Sequence, residues 1–359
     1  MRTIVFLGGD QSFDGESVSR MPAGGIHHAT ASLAEAFARA GHHVSVYNGT
    51  PQRAQISGVH WMPLSATREM EADLVLANNN ARMFRSVTAG TKVVWFHNPV
   101  ALRRHFKRGN LFPVLKHRPH AVFLGRYHEQ SASRLLPFAS RRTIGLAHSP
   151  EFVRHDAAAV PPPPRAVFTS QAYRGLKWVL EVWAKHVWPA VPNAEFHIFA
   201  QAKDVTVEDY RRFGVVPRER MPRAELAQEL MAARLLFCPG HRHETYCFAA
   251  AEATLAGLPI VTRGIGALAE RVEHGVNGYI AADPELFARH AAHRRRHVAA
   301  DAQGSAHHPR SEQLGRPGEA VVGCVSALRS RLAGDRRFCA NTQFSSVQKW
   351  DGSRFSLHA

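Results

Sequence analysis

The sequence predicts two α/β domains, each an open and mostly parallel sheet, and three observations carry that prediction. Short apolar runs alternate with segments of helical periodicity along most of the 359 residues. Two of the runs, Thr3–Leu7 ending in Gly8-Gly9 and the continuous Ala233–Cys238, read as parallel strands. Four consecutive prolines, Pro161–Pro164, divide the pattern into two halves. The expected division is 1–160 for the first domain, 161–164 for a stiff linker, 165–287 for the second domain and 288–359 for an atypical basic tail.

In the first half, Thr3–Leu7 reads as the opening strand and runs into Gly8-Gly9. A polar loop leads to Gly24-Gly25, and the spacing of Leu33, Ala34 and Phe37 predicts a helix over Thr30–Ala40 that Gly41 ends. A strand follows at His43–Tyr47. Gly24 and Gly25 therefore open the helix of a βαβ unit, where bare backbone can come close to a phosphate or sugar. The pair is no GxGxxG fingerprint, so a classical NAD site has little support, and a plain flexible turn is the alternative. Further strands are expected at Gly58–Met62, Asp73–Ala77, Lys92–Phe96 and Ala121–Leu124. Ligands of such sheets collect at the carboxyl ends of strands, which places His97, just after Lys92–Phe96, in the expected cleft.

In the second half, Arg165–Phe168 starts a new sheet, and Leu176, Val179, Leu180 and Trp183 form a helical stripe with Arg174 at its entry. Arg174 can hold a diphosphate there or serve only as a surface charge. Glu195–Phe199 is the next strand, and Arg223–Ala232 a helix. Ala233–Cys238, the small-residue helix Tyr246–Ala256 and Leu258–Thr262 then make a βαβ unit, with Gly257 and Pro259 as the helix stop. Helical geometry puts Phe248, Glu252 and Leu255 on one face, so Glu252 points where apolar residues point. A buried carboxylate needs a partner: a ligand, or an arginine of the same chain. Glu244 lies just ahead of the helix, where free N–H groups favour anions. Together the two acids around a helix N-terminus suggest a nucleotide site.

Composition sets bounds on function. The apolar share of 45% suits a globular protein, and no run reaches the ~18 apolar residues of a spanning helix. The N-terminal apolar run is too short for a signal peptide, and Cys238, Cys247, Cys324 and Cys339 form neither a CxxC pair nor a disulfide framework; a cytoplasmic location is the expectation. The net charge of +16 is confined to two regions, ten Lys/Arg against one acid over 101–145 and twelve against five over 289–359. In Leu102–Arg118 the cations interleave with Phe106, Leu111, Phe112, Val114 and Leu115, a mixture that suits an interfacial segment attracted to anionic lipid. A solvated face is the plainer alternative. Nucleic acid is not the expected partner, because neither region carries aromatics at stacking intervals.

The order Glu244-Thr-Tyr-Cys-(x)4-Glu252-Ala-(x)3-Gly257-(x)-Pro259-Ile-Val, followed by Gly264-Ile-Gly266-Ala and Glu270-(x)4-Gly275-(x)2-Gly278, resembles the retaining GT-B glycosyltransferases of family 4, the glycosyl transferases group 1. Gly24-Gly25, His97 and Arg174-Gly175 fall where that family's other motifs lie, and the resemblance covers about Met1–Phe287. It implies a GT-B fold, two Rossmann-like doubly wound domains facing a central cleft. It also implies transfer of a hexosyl group from a nucleoside diphosphate sugar to an acceptor hydroxyl, with retention and without a metal or other cofactor. Carried over by position, Glu252 would hold the ribose hydroxyls and Glu244 the donor sugar, with the amides of Tyr246, Cys247 and Phe248 facing the sugar and distal phosphate. Arg174 would hold the diphosphate, His97 would sit near the reacting centre, and Gly24 and Gly25 would cover the phosphates. A cell-envelope glycan or lipid-linked acceptor, met at the inner face of a membrane, is the expectation for the other substrate.

Two departures stand out. Thr169 stands where the family has a second diphosphate-binding cation, so the diphosphate meets one cation fewer unless Arg263 or a neighbour substitutes, and a degenerate fold that binds a glycan or nucleotide without turnover is the alternative reading. After Phe287 the chain becomes rich in Ala, Arg and His, with a short helix expected only over Val321–Leu332. A shifted reading frame near residue 288 would produce such a tail, and a basic anchor for membrane or nucleic acid is the competing reading.

Overall fold

The computed structural model describes residues 1–67, 70–154, 162–200 and 206–292. The helix expected at Val321–Leu332, Cys324, Cys339, Pro161 and nearly all of the basic tail lie outside these residues.

The first domain contains β1 (Thr3–Gly9), α1 (Gly15–Arg20), α2 (Gly25–Arg39), β2 (His43–Asn48), β3 (Ala54–Ile56), β4 (Val59–Pro63), β5 (Met70–Asn78), β6 (Val87–Trp95), α3 (Leu102–Lys107), α4 (Leu111–His117), β7 (His120–Phe123), α5 (Arg126–Gln130) and β8 (Ser140–Thr143). Its eight strands are ordered β3-β4-β2-β1-β5-β6-β7-β8, parallel except that β3 runs against β4. The second domain contains β9 (Arg165–Phe168), α6 (Leu176–Val182), β10 (Glu195–Ile198), β11 (Val215–Pro217), α7 (Arg223–Met231), β12 (Leu235–Phe237), α8 (Phe248–Leu255), β13 (Ile260–Thr262), α9 (Leu268–Arg271), β14 (Gly278–Ile280) and α10 (Pro284–Ala292). Its six strands are parallel, in the order β11-β10-β9-β12-β13-β14.

Both sheets share one logic. The chain starts in the middle, builds outward on one side, then returns and builds on the other, so the order reverses between β1 and β5 and between β9 and β12. A crevice opens at the carboxyl ends of the strands at each reversal. The central strands are apolar on both faces because helices cover both: Ile4 and Phe6 face one buried cluster, Val5 and Leu7 another. In the second domain Phe168 and Phe237 pack under α6 and α10, while Val167 and Leu236 pack under α7 and α8.

Every strand and helix expected from the first two βαβ patterns is present, with ends moved by a few residues. Helix α2 starts at Gly25 itself, and α10 continues through Arg289 to Ala292, past the expected boundary at residue 287. Phe287 anchors α10, its ring stacked on Phe237 at 5.3 Å and edge-on to Trp178 at 4.9 Å. The edge strands β3, β8, β11 and β14 were not expected. The two domains meet through Tyr246 and Ala251, which are buried in the same cluster as Phe6, Leu76 and Trp95 of the first domain.

Candidate donor-binding cleft

The carboxyl ends of β9, β12 and β13 aim their following loops at the amino end of α8. The turn after β12 runs Pro239-Gly240 into Glu244, which is buried. Glu244 Oε1 accepts a hydrogen bond at 3.1 Å from the backbone N–H of Cys247, the residue immediately before α8. Its Oε2 is paired with Arg174 Nη1 from the turn before α6. Burial opposes the charge of the Arg174 guanidinium, but Glu244, Tyr173 and Cys247 together more than offset this and hold its pKa above the usual value. Arg174 and Glu244, expected separately on the diphosphate and the sugar, therefore form one ion pair.

Glu252 lies one turn further along α8 and is also buried. Its Oε1 accepts from Arg223 Nη2 at 2.6 Å, at the start of α7. Arg223 in turn donates from Nε to Ser149 Oγ at 3.0 Å and lies 4.8 Å over the Phe152 ring. Burial pushes the Glu252 carboxyl up, and Arg223 only partly counters it. Of the two alternatives read from the sequence, the structure shows the arginine partner.

Cys247 adopts a left-handed backbone, φ 64°, which turns the chain into α8. Its thiol lies 3.5 Å from that of Cys238, and that contact, with burial, pushes it well above the ordinary cysteine value. Tyr246 is a cross-domain pivot. Its hydroxyl donates to Leu146 O at 2.9 Å and receives His148 Nε2 at 2.7 Å, while Arg271 lies 3.6 Å over its ring. Phe248 faces Gly25: a Cβ on Gly25 would lie 2.2 Å from the Phe248 ring. The second glycine is thus required by packing across the cleft, whereas a Cβ on Gly24 would meet nothing closer than 3.9 Å.

His97 closes the site from the first domain. It follows β6 and is fixed by its backbone: Asn79 Oδ1 accepts from His97 N at 2.7 Å and from Asn98 N at 3.1 Å, and His97 O accepts from Thr245 Oγ1 at 2.5 Å. Thr245 is next to Glu244, so this bond brings His97 to the start of α8. The ring itself is buried, and neither Nδ1 nor Nε2 has a hydrogen-bond partner among the described residues. Burial, and then His128, lower its pKa to about 3, so the imidazole is neutral.

Sequence reasoning missed four participants. Arg223 holds Glu252. Asn79, with φ 59°, positions His97. His28 on α2 and His148 in the crossing segment have their pKa values lowered to about 3, by burial first and then by cations that include Arg223. His28 Nε2, His148 Nδ1 and Thr169 Oγ1 are buried without partners, like both nitrogens of His97. Buried polar atoms are rarely left unpaired, and a bound ligand is one way to pair them. A histidine following a glycine pair was the available signal for His28; nothing local marks the other three. Thr169 stands at the end of β9 with no charge to offer, and Arg263 does not fill that place, since it stacks 4.8 Å over Trp178. Among the described residues no cluster of His, Cys, Asp or Glu has metal-holding geometry, and no helix is long and apolar enough to cross a membrane.

Comparison with known proteins identifies the fold. Residues 163–294 match the family model of the glycosyl transferases group 1. No curated protein matches the chain by sequence. Among solved structures, sucrose-phosphate synthase from Thermosynechococcus elongatus superposes with a TM-score of 0.69 at 14% identity, over 93% of this chain and 100% of that one. HepE of Anabaena, in complex with UDP and glucose, gives 0.63 at 15% identity over 92% and 100%. WaaG, a glycosyltransferase involved in lipopolysaccharide biosynthesis, gives 0.63 at 14% identity over 89% and 98%. At these identities the likeness is one of fold, and the fold is GT-B.

Proposed function

We propose that the protein, whose residues 163–294 match the family model of the glycosyl transferases group 1, transfers a hexosyl group from a nucleoside diphosphate sugar to an acceptor hydroxyl, with retention. One observation carries the reading: two buried carboxylates stand just before α8 and on it, and Thr245, next to the first, bonds the backbone of His97 in the first domain, whose buried ring nitrogens have no hydrogen-bond partner among the described residues. The UDP and glucose bound by HepE support a nucleoside diphosphate hexose as donor.

In this reading Glu252 receives the ribose hydroxyls and Glu244 the sugar hydroxyls, while Arg174 and the Tyr246–Phe248 amides meet the diphosphate. As the anomeric carbon–phosphate oxygen bond breaks, charge develops on the departing diphosphate, where Arg174 and the α8 dipole stabilise it. The acceptor oxygen bonds the anomeric carbon on the same face, and its proton passes to the departing phosphate oxygen. The glutamates bind hydroxyls and are not the acid and nucleophile of a glycosidase. His97, held neutral, acts as a hydrogen-bond partner near the reacting centre rather than as a cation. The acceptor is read as a cell-envelope glycan or lipid-linked molecule.

Thr169 favours a second reading, binding of a nucleotide or glycan without turnover, because the diphosphate then meets one cation fewer. Incubating the purified protein with a panel of nucleoside diphosphate sugars, with and without glycan acceptors, decides between them. Release of nucleoside diphosphate is expected from the donor that most raises the melting temperature. Stabilisation with no release from any donor would leave only the binding reading.

A further inference from the structure

The two short helices that follow the His97 turn leave an outer face that the donor site does not use. Leu102, Leu111, Pro113 and Val114 turn inward, whereas Phe106, Phe112 and Leu115 are 71%, 67% and 51% exposed. Arg103, Lys107, Arg108, Lys116 and Arg118 are exposed around them. The turn Ala81–Ser86 packs beside α4 and adds the exposed Arg82, bonded to Arg108 O at 3.3 Å, and Arg85. Lys92 reaches the same place, 3.2 Å from His117 Nδ1.

No acid offsets this charge. The sequence has no Asp or Glu between Asp73 and Glu129, and none of the salt bridges among the described residues uses these cations. The cations act on one another instead: burial, then Lys92, Lys116 and Arg85, lower the His117 pKa, and burial, then Lys116, lowers that of Lys92. Large exposed apolar rings inside an unneutralised basic field mark a contact surface. Another copy of this face is repelled by it. A partner must be both anionic and apolar just beneath its charge.

We propose that the face formed by α3, α4 and the Ala81–Ser86 turn docks on an anionic lipid surface, with Phe106, Phe112 and Leu115 entering the headgroup boundary and the surrounding cations meeting lipid phosphates. Each Lys or Arg near such a surface strengthens the attraction on the order of fivefold, and the apolar rings add a contribution that salt does not screen. The face adjoins the cleft, because Arg108, Asn98 and Val100 line one small cavity beside the His97 turn. It deepens the acceptor side of the proposed reaction, by bringing the cleft to a lipid-linked acceptor, but lipid contact is measurable without any turnover.

The test is sedimentation of the full chain with vesicles of phosphatidylcholine alone and of phosphatidylcholine with 30% phosphatidylglycerol. Preference for the anionic vesicles of about tenfold or more is expected, falling steeply with salt. The basic segment 289–359 also attracts anions, so the decisive comparison is with two variants, F106S/F112S/L115S and R103E/K107E/K116E, each expected to weaken vesicle binding at least tenfold. Thermal stabilisation by UDP, read in parallel, should be unchanged in both and reports an intact fold and donor site. Equal binding to neutral and anionic vesicles, or wild-type binding by both variants, overturns the proposal. So does duplex DNA that displaces the wild type from vesicles and binds the serine variant equally well, which would make the face a nucleic-acid surface.

Discussion

Replacing Glu252 with glutamine separates the binding role of the carboxylate from its structural one. Removing one partner of a buried ion pair ordinarily costs about 3–5 kcal/mol, because the other charge is stranded. Glutamine avoids most of that, since its carbonyl can still accept from Arg223, which now lies 2.6 Å from Oε1. The pKa supports the same expectation. The folded value is raised above the unfolded one, so between the two the folded protein binds more protons and stability falls as pH rises. Ionising Glu252 in the fold is therefore a net cost at neutral pH even with Arg223 beside it. E252Q should shift stability by no more than about 1 kcal/mol, or under about 4 °C in melting temperature, and should flatten the pH dependence above the carboxylate range. Nucleotide binding should respond differently. Hydrogen bonds to a charged group contribute about 1.5–3 kcal/mol against 0.5–1.5 for neutral pairs, so two ribose contacts losing charge predict roughly a 10- to 100-fold rise in Kd. Calorimetry with uridine, guanosine and adenosine diphosphates, together with melting curves from pH 5 to 8, reads both quantities. Unchanged affinity for whichever nucleotide the wild type binds would refute the ribose assignment. A drop beyond about 10 °C would refute the view that the charge is a net structural cost.

Three further outcomes follow from the same site. R174A strands the buried Glu244 carboxylate and should cost near the lower end of about 3–5 kcal/mol, because Arg174 keeps 24% exposure; R174K should restore most of that stability in urea titrations, and an equal loss in both variants would show that charge is not what matters. His28, His97 and His148 are folded neutral with values near 3, below the unfolded range, so their stability contribution is full above about pH 6.5 and is lost as pH falls toward 3; a denaturation midpoint flat from pH 7 to 4.5 would contradict this. G25A drives a methyl into the Phe248 ring and should weaken donor binding by about tenfold by prising the cleft apart; G25A/F248A should recover part of that loss, and failure to recover any would put the role of Gly25 in the loop backbone instead.

Much of the fold was legible because buried parallel strands declare themselves by continuous apolar runs. The apolar stretches of β1, β5, β6 and β9 all read this way. The edge strands did not. β8 is Ser-Arg-Arg-Thr, and only its pairing with β7 makes it a strand, a property of the partner rather than of its own composition. The extension of α10 to Ala292 was hidden for a related reason: Arg289 and His290 break the apolar stripe, and the helix is fixed by Phe287 packing upstream.

The site shows the same division between local and distant causes. Glu244, Cys247 and Glu252 are close in sequence, the first two just before α8 and the third on it, so their placement follows from helical geometry and from the dipole at the head of α8. What the sequence could not supply is which long side chain answers each acid. Arg223 reaches Glu252 from α7, and Arg174 reaches Glu244 from the turn before α6, because two separate βαβ units end on one sheet edge. The glycine pair makes the point most sharply. Sequence logic assigned both glycines to a phosphate, yet the space beside Gly25 is taken by Phe248 of the opposite domain, while that beside Gly24 is open. Only Gly24 is left with room for a ligand beside its own Cα. Gly25 instead sets how near α8, with Glu244 at its head, comes to the first domain. A residue chosen for contact with a donor and one chosen for closure around it look alike in a sequence, since both demand a missing side chain, and they separate only when the second domain is in place.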